Sequence, residues 1–298
     1  MADTDGTGWL IGLLGAGIGP SLSPALHERE AEALGLRYAY RRLDLDTLGR
    51  PASDVGAILG AVRLTGFDGL NVTHPCKQSV IEHLDDLSDD AAALGAVNTV
   101  VLTGGRAVGH NTDQSGFASS MARGLPDAAL DRVVLLGAGG AGAAVAHALL
   151  KLGVGRLDVV DIDPARADAL ARSLAERSGT DRVRVGGRPE ALPALLGDAD
   201  GLVHATPTGM AAHPGLPIPA ELLDPRLWVA DVVYRPLQTA LVRAAREAGC
   251  RVLDGGGMAV FQAADSLRLF TGAEPDAERM LRHLAELTKG SSSDADAA

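Results

Sequence analysis

Three segments of the chain concentrate side chains that can move a proton or hold an anion. Asn71-Val72-Thr73-His74-Pro75-Cys76-Lys77 ends an apolar run and opens a stretch of helical spacing. A lysine in a first helical turn faces the positive end of the dipole, which depresses its pKa and suits it to proton transfer near neutrality. Only three of the 27 basic residues are lysines: Lys77, Lys151 and Lys289. Arginine does not release its proton, so a lysine inside such a segment stands out. The bland alternative is a solvated surface lysine. Gly109-His110-Asn111-Thr112-Asp113 supplies a carboxylate, Asp113, which either caps the helix that follows or pairs with Lys77. Ser21-Leu22-Ser23-Pro24 offers hydroxyls at i and i+2. On extended backbone these point the same way and together can hold a carboxylate, while Ser23 ahead of Pro24 also fits an N-cap. Asn98, at a helix–strand junction, can hydrogen-bond a substrate hydroxyl.

A second kind of chemistry sits further along. Val133-Val134-Leu135-Leu136 is an apolar strand that runs into Gly137-Ala138-Gly139-Gly140-Ala141-Gly142 and then a helix. Gly137, Gly139 and Gly142 have the dinucleotide-binding spacing. The first makes the tight turn, the second lets backbone approach the pyrophosphate, and the third lets helix and strand pack closely. Asp161 ends the next strand 19 residues after Gly142, where an acid binds the adenosine ribose hydroxyls. Asp161-Ile162-Asp163-Pro164 presents two carboxylates with no adjacent base, so a 2′-phosphate would meet like charge. NAD is therefore favoured over NADP, with Arg166 one helical turn on to soften the preference. Gly15-Ala16-Gly17-Ile18-Gly19-Pro20 looks similar but carries proline at the third glycine position, and reads as a turn delivering Ser21 and Ser23.

Other chemistries are excluded or weak. The eight histidines show no zinc spacing, so no metal is expected. Cys76 beside Lys77 could be mildly activated, but no His–Cys–acid set accompanies it. The 298 residues carry a formal net charge of −11 and only 3% aromatics, which argues against a nucleic-acid partner. No apolar run reaches the roughly 18 residues of a membrane span, and the acidic start MADTDGTG lacks the basic opening of a secretory signal. With two cysteines and no disulfide pattern, a reduced cytoplasmic protein is the default.

The elements that must position these residues alternate. Runs reading as strands are Trp9–Leu14, Tyr38–Leu43, Gly69–Val72, Val97–Leu102, Arg132–Leu136, Leu157–Val160, Val183–Val185, Gly201–His204 and Trp228–Val232. Between them lie stretches of helical spacing: Pro24–Leu34, Val55–Leu64, Lys77–His83, Gly116–Arg123, Ala141–Leu152, Ala165–Arg177, Thr239–Ala248 and Met258–Phe270. This implies an α/β fold with mostly parallel sheets. The expected organisation is an N-terminal α/β substrate domain at 9–115, a Rossmann-type NAD(P)-binding domain at 116–257, and C-terminal helices at 258–288 that pack back onto the first. Residues 1–8 and 289–298 are expected as frayed tails.

Taken together these motifs resemble the shikimate dehydrogenase family, over about Leu10 to Leu287. They include Ser21-Leu22-Ser23-Pro24, Asn71-Val72-Thr73-x-Pro75-x-Lys77, Gly95-Ala96-Val97-Asn98-Thr99 and Asn111-Thr112-Asp113. The glycine loop follows, then Ala205-Thr206-Pro207-x-Gly209-Met210, Asp231-x-Val233-Tyr234-x-Pro236 and Gly255-x-x-Met258 with Gln262. The resemblance implies reversible hydride transfer between a nicotinamide and C3 of a cyclic hydroxy-carboxylate. It implies Lys77 and Asp113 as the catalytic pair and Ser21 and Ser23 on the carboxylate. It places Thr73, Asn98 and Gln262 on ring hydroxyls, Tyr234 beside the substrate, and Ala205, Thr206, Gly255 and Met258 near the nicotinamide. Where NADP-using members carry Asn-Arg-Ser/Thr this chain has Asp161-Ile162-Asp163, which makes the NAD-preferring quinate/shikimate branch the closer match. His204 stands where asparagine is usual. A ligand sensor without turnover and a dehydrogenase of an amino-substituted analogue stay open, and a homodimer is compatible with the sequence.

Overall fold

The computed structural model describes residues 8–179 and 181–293. The chain forms two compact α/β units: one runs to Thr112 and resumes at Val260, and the other is Asp113–Ala259.

The first unit is built on strands β1 (Trp9–Gly15), β2 (Tyr38–Asp44), β3 (Gly69–Val72), β4 (Asp86–Leu87), β5 (Thr99–Thr103) and β6 (Arg106–His110), in the order β2-β1-β3-β5-β6-β4. β1 runs parallel to β2 and β3, whereas β5 is antiparallel to β3 and β6. Helices α1 (Ser23–Ala33), α2 (Leu45–Leu48), α3 (Val55–Leu64) and α4 (Asp89–Leu94) connect them. β1 is buried on both faces because alternate side chains point opposite ways. Ile11 and Leu13 pack with Tyr40 and Phe270, while Leu14 packs with Leu59, Val62 and Leu70.

Two local expectations fail here. Lys77–His83 is not an α-helix: Thr73 to Gln78 is mostly turn, and a 3-10 helix follows at Ser79–His83. Pro75 brings no N–H to a helix, and the Lys77 carbonyl is taken by the distant Val97 N–H at 2.8 Å rather than by a donor four residues on. Strand β6 was not expected. It pairs with β5 through a hairpin at Gly104-Gly105, both at positive φ, which is the backbone a two-residue turn between twisted strands requires.

The second unit holds β7 (Arg132–Leu136), β8 (Arg156–Val160), β9 (Val183–Gly187), β10 (Gly201–His204), β11 (Trp228–Asp231) and β12 (Arg251–Leu253). All pairings are parallel, in the order β12-β11-β10-β7-β8-β9. This is the doubly wound order, reversing direction between β7 and β10. Helices α5 (Thr112–Gly124), α6 (Gly140–Lys151), α7 (Pro164–Ser178), α8 (Leu192–Gly197) and α9 (Ala240–Glu247) cover it. Val133 and Leu135 of β7 face α5, α6 and α7 through Phe117, Leu149 and Leu170. Val134 and Leu136 face α8 and α9 through Leu192 and Leu241.

Helix α10 (Gly256–Thr271) begins in the second unit and continues into the first, which α11 (Ala277–Ser293) completes. α11 packs on α1, where Arg279 donates to both oxygens of the buried Glu30 carboxylate at 2.6 and 2.8 Å. No described helix is long and apolar enough to cross a membrane.

Candidate active site

In the first unit, parallel β1 and β3 deliver their following loops to one edge of the sheet, and antiparallel β5 begins there. The register is explicit: Leu14 pairs with Val72, Asn71 with Thr99, and Thr99 with His110. Ser21 and Ser23 therefore follow β1, Thr73 and Lys77 follow β3, and Asn98 precedes β5, all at the same edge. Backbone bonds tie these loops together. Thr73 N–H donates to Leu14 O at 2.8 Å, Ala16 N–H to His74 O at 3.0 Å, and Val72 N–H to Asn98 O at 2.7 Å. A Cβ on Gly15 would lie 2.4 Å from Thr73 Cγ2, so this junction needs glycine.

The turn after β1 is held by a carboxylate. Asp44 accepts from Gly17 N–H at 3.1 Å and Ile18 N–H at 3.0 Å. It thus occupies the donors that made the segment look like a phosphate loop. The cap of α1 is Leu22, with no side-chain bond, so the expectation that Ser23 caps the helix is corrected: Ser23 is its first helical residue. Ser21 Oγ accepts the Ser23 N–H at 3.3 Å and lies 3.2 Å from Ser23 Oγ, and because Leu22 between them is αR rather than extended, it is a turn and not a strand that brings the two hydroxyls together.

Asn98 is buried among its own supports. Its Oδ1 accepts from Thr112 N–H at 2.8 Å and Thr99 Oγ1 at 3.0 Å, and its Nδ2 donates to Thr112 Oγ1 at 3.0 Å. A further bond from Tyr40 Oη to Asn71 Oδ1, at 2.7 Å, orients Asn71 to donate to Thr99 Oγ1 at 3.1 Å. Asn98 therefore pins the first residue of α5. Asp113 comes next, buried inside the first turn rather than at the cap position, where the helix dipole favours a carboxylate.

Lys77 is half-buried on a turn, so the dipole argument for its acidity loses its basis. Cys76 is fully buried in the core and burial pushes its thiol up, which overturns the expectation of mild activation. Burial also lowers the His110 pKa, while His74 is exposed. Gln262 is half-buried on α10.

In the second unit the glycine loop has the expected geometry. Gly137 has φ 101°, and a Cβ there would lie 2.6 Å from Ala205 O. A Cβ on Gly142 would lie 2.0 Å from Gly137 O, whereas one on Gly139 meets nothing within 4 Å. The cap of α6 is Gly139, without a side-chain bond, followed by Gly140 and Ala141. Open space beside Gly139 and a helix start not closed by a side chain fit a pyrophosphate. Asp161 Oδ2 accepts from Ala138 N–H at 2.7 Å and its Oδ1 from Asp163 N–H at 2.9 Å. Asp163 caps α7 by accepting from Ala165 N–H at 3.0 Å, with exposed Arg166 at 3.6 Å from its carboxylate.

Ala205 and Thr206 leave β10 at the same carboxyl edge, Ala205 N–H donating to Leu136 O at 2.7 Å. Gly255 follows β12, where a Cβ would lie 2.5 Å from Val233 O. Tyr234 is half-buried after β11, and Met258 packs against the core beneath α5 and α6. Sequence reasoning left the supports unassigned, namely Asp44, Thr112 and the pair His204–Asp231. Their partners lie 14 to 27 residues away, so spacing gives no signal.

Residues 13–100 match the shikimate dehydrogenase substrate binding domain, and residues 115–185 match the ThiF family. The chain is 67% identical over 279 residues to the shikimate dehydrogenase (NADP(+)) of Streptomyces avermitilis, covering 94% of this chain and 96% of that one. It is 50% identical over 272 residues to the quinate/shikimate dehydrogenase (NAD(+)) of Corynebacterium efficiens, covering 91% and 95%. The quinate dehydrogenase of Corynebacterium glutamicum, solved in complex with NAD, superposes with a TM-score of 0.88 at 48% identity, covering 94% and 99%.

Proposed function

Because the chain belongs to the shikimate dehydrogenase family, we propose that it oxidises shikimate, and quinate beside it, at the C3 hydroxyl with NAD in preference to NADP. The chain is a shikimate/quinate dehydrogenase, an oxidoreductase acting on CH–OH with a nicotinamide dinucleotide. The substrate assignment is supported by the gathering of Ser21, Ser23, Thr73, Lys77 and Asn98 at one edge of the first sheet. Two facing hydroxyls suit a carboxylate, and Thr73, Asn98 and Gln262 suit ring hydroxyls.

The bound nicotinamide supplies hydride exchange. The chain's residues handle the proton. In reduction the carbonyl oxygen gains alkoxide character, which the Lys77 ammonium stabilises and protonates. In oxidation the neutral amine takes that proton back. Asp113 is proposed as the carboxylate of the pair, and Tyr234 as a substrate-binding residue. Ala205, Thr206, Gly255 and Met258 serve the nicotinamide half, and the glycine loop with Asp161 serves the rest.

The preference for NAD rests on Asp161 and Asp163 standing where a 2′-phosphate would sit. Named relatives divide on this point, with NADP at 67% identity and NAD at 50%. The test of the proton-transfer roles is turnover of Lys77→Ala, Lys77→Arg and Asp113→Asn. Each is expected to lose at least ~100-fold in kcat while still binding shikimate, and arginine does not rescue because it keeps its proton. Near-normal turnover of Lys77→Ala contradicts the assignment.

A further inference from the structure

His204 ends β10 with its ring wholly buried. Its Nδ1 lies 2.9 Å from Asp231 Oδ1 and its Nε2 lies 2.5 Å from Thr206 Oγ1. Asp231, at the end of β11, also accepts from Val233 N–H at 3.0 Å and from Thr239 Oγ1 at 2.7 Å. Thr239 in turn caps α9 by accepting from Val242 N–H at 3.1 Å. A continuous buried path thus runs from the first turn of α9, through a carboxylate and an imidazole, to a hydroxyl on the loop after β10.

The donors along this path can be assigned. A carboxylate only accepts, so the ring proton sits on Nδ1 and points at Asp231. In the neutral ring Nε2 is then an acceptor, and Thr206 donates its hydroxyl proton to it. Thr206 Oγ1 also accepts from Thr208 N–H at 3.3 Å. The atom order is that of a hydrolase triad, but a ring with no exposed surface cannot pass a proton to a substrate. Its role is to hold Thr206.

What Thr206 is held against follows from the sheet. The loop it sits on is fixed to the glycine loop, through Ala205 N–H to Leu136 O at 2.7 Å and through the close approach of Gly137 to Ala205 O. In a doubly wound sheet the two halves of a dinucleotide lie on either side of the switch point. The acid ending β8 takes the adenosine half, which leaves the carboxyl ends of β10 and β11 to the other.

We propose that His204 is a positioning residue which, by tying Thr206 to Asp231, fixes the loop after β10 against the nicotinamide half of the bound dinucleotide. This rests on the dinucleotide reading above. Asparagine at 204 can still donate to Asp231 but has no atom where Nε2 stands, so His204→Asn separates support of the fold from the hold on Thr206.

The experiment measures dissociation constants of NADH and ADP, without substrate, for the wild type, His204→Asn, Thr206→Val and the double variant. ADP carries the adenosine and pyrophosphate and lacks the nicotinamide half. Each single variant is expected to bind NADH about 5–10-fold more weakly and ADP within about twofold of the wild type, and the double variant to be no weaker than the worse single one. NADH binding by His204→Asn within about twofold of the wild type, equal losses for NADH and ADP, or additive losses in the double variant each overturn the proposal. A wild type that binds no dinucleotide overturns the reading beneath it. A wild type that binds normally beside indifferent variants overturns the role of His204 alone.

Discussion

Asp161 Oδ2 accepts the backbone N–H of Ala138, 23 residues earlier in the chain, at 2.7 Å. The carboxylate that follows β8 is thereby tied to the glycine loop, and under the proposed function it stands against a 2′-phosphate. Asp161→Asn keeps an acceptor for Ala138 and removes the charge. The ratio of kcat/KM for NAD over NADP is expected to fall by about tenfold, or ~1.4 kcal/mol in transition-state discrimination. An unchanged ratio would mean that this acid does not set the preference.

The glycines of the loop divide by what surrounds them. A methyl on Gly142 meets Gly137 O at 2.0 Å, so Gly142→Ala should cost about 1–3 kcal/mol of stability and weaken NADH binding. Gly139 has open space around it, so Gly139→Ala should keep the melting temperature and still weaken NADH, because the methyl points where pyrophosphate approaches. Calorimetric melting with NADH titration separates the two. Equal melting temperatures for both variants would contradict the packing argument.

His27 sits buried beside Tyr38 and Tyr40, its Nδ1 3.1 Å from Tyr38 Oη, and burial lowers its pKa from 6.5 to about 3. The unfolded chain takes up this proton near 6.5 and the folded chain only near 3. Between those values the unfolded state holds more protons, so stability falls as pH falls, by up to ~1.4 kcal/mol per pH unit. Above the unfolded pKa the contribution is complete. Urea unfolding at several pH values should show a shallower acid loss for His27→Gln than for the wild type. Parallel slopes would contradict it.

Glu30 is fully buried, and its carboxylate accepts from Arg279 and from Asp276 N–H at 2.7 Å. Arg279→Met leaves that charge in the core and should cost about 3 kcal/mol, while adding Glu30→Gln should recover much of the loss. Equilibrium unfolding of Arg279→Met, Glu30→Gln and the double variant reads the coupling directly. Additive losses would mean that the pair does not pin α11 to α1.

Local patterns carried most of the fold and less of the site. β1, β7 and β8 are apolar runs between breakers, and the glycine loop announces itself by its spacing between an apolar strand and a helix, with Gly137 and Gly142 answering steric demands and Gly139 lying in open space. The hairpin strand β6 is weaker, Arg-Ala-Val-Gly-His, yet Gly104-Gly105 between two alternating runs was a legible turn. Lys77 misled because helical spacing is local, whereas the bond that Val97 donates to its carbonyl comes from the distant loop before β5. Ser23 reads as a cap from its neighbour Pro24, but the helix starts one residue earlier than that reading needs, with Leu22 at the cap position and Ser23 already helical. The Asn98–Thr112 and His204–Asp231 bonds join strand ends that only the finished sheets bring together.

The most direct test crosses shikimate and quinate with NAD and NADP and follows initial rates of reduced-cofactor formation by the purified protein. The expected result is turnover of at least one substrate, with NAD well above NADP. No turnover in any combination would contradict the dehydrogenase reading and favour a ligand-binding role without chemistry.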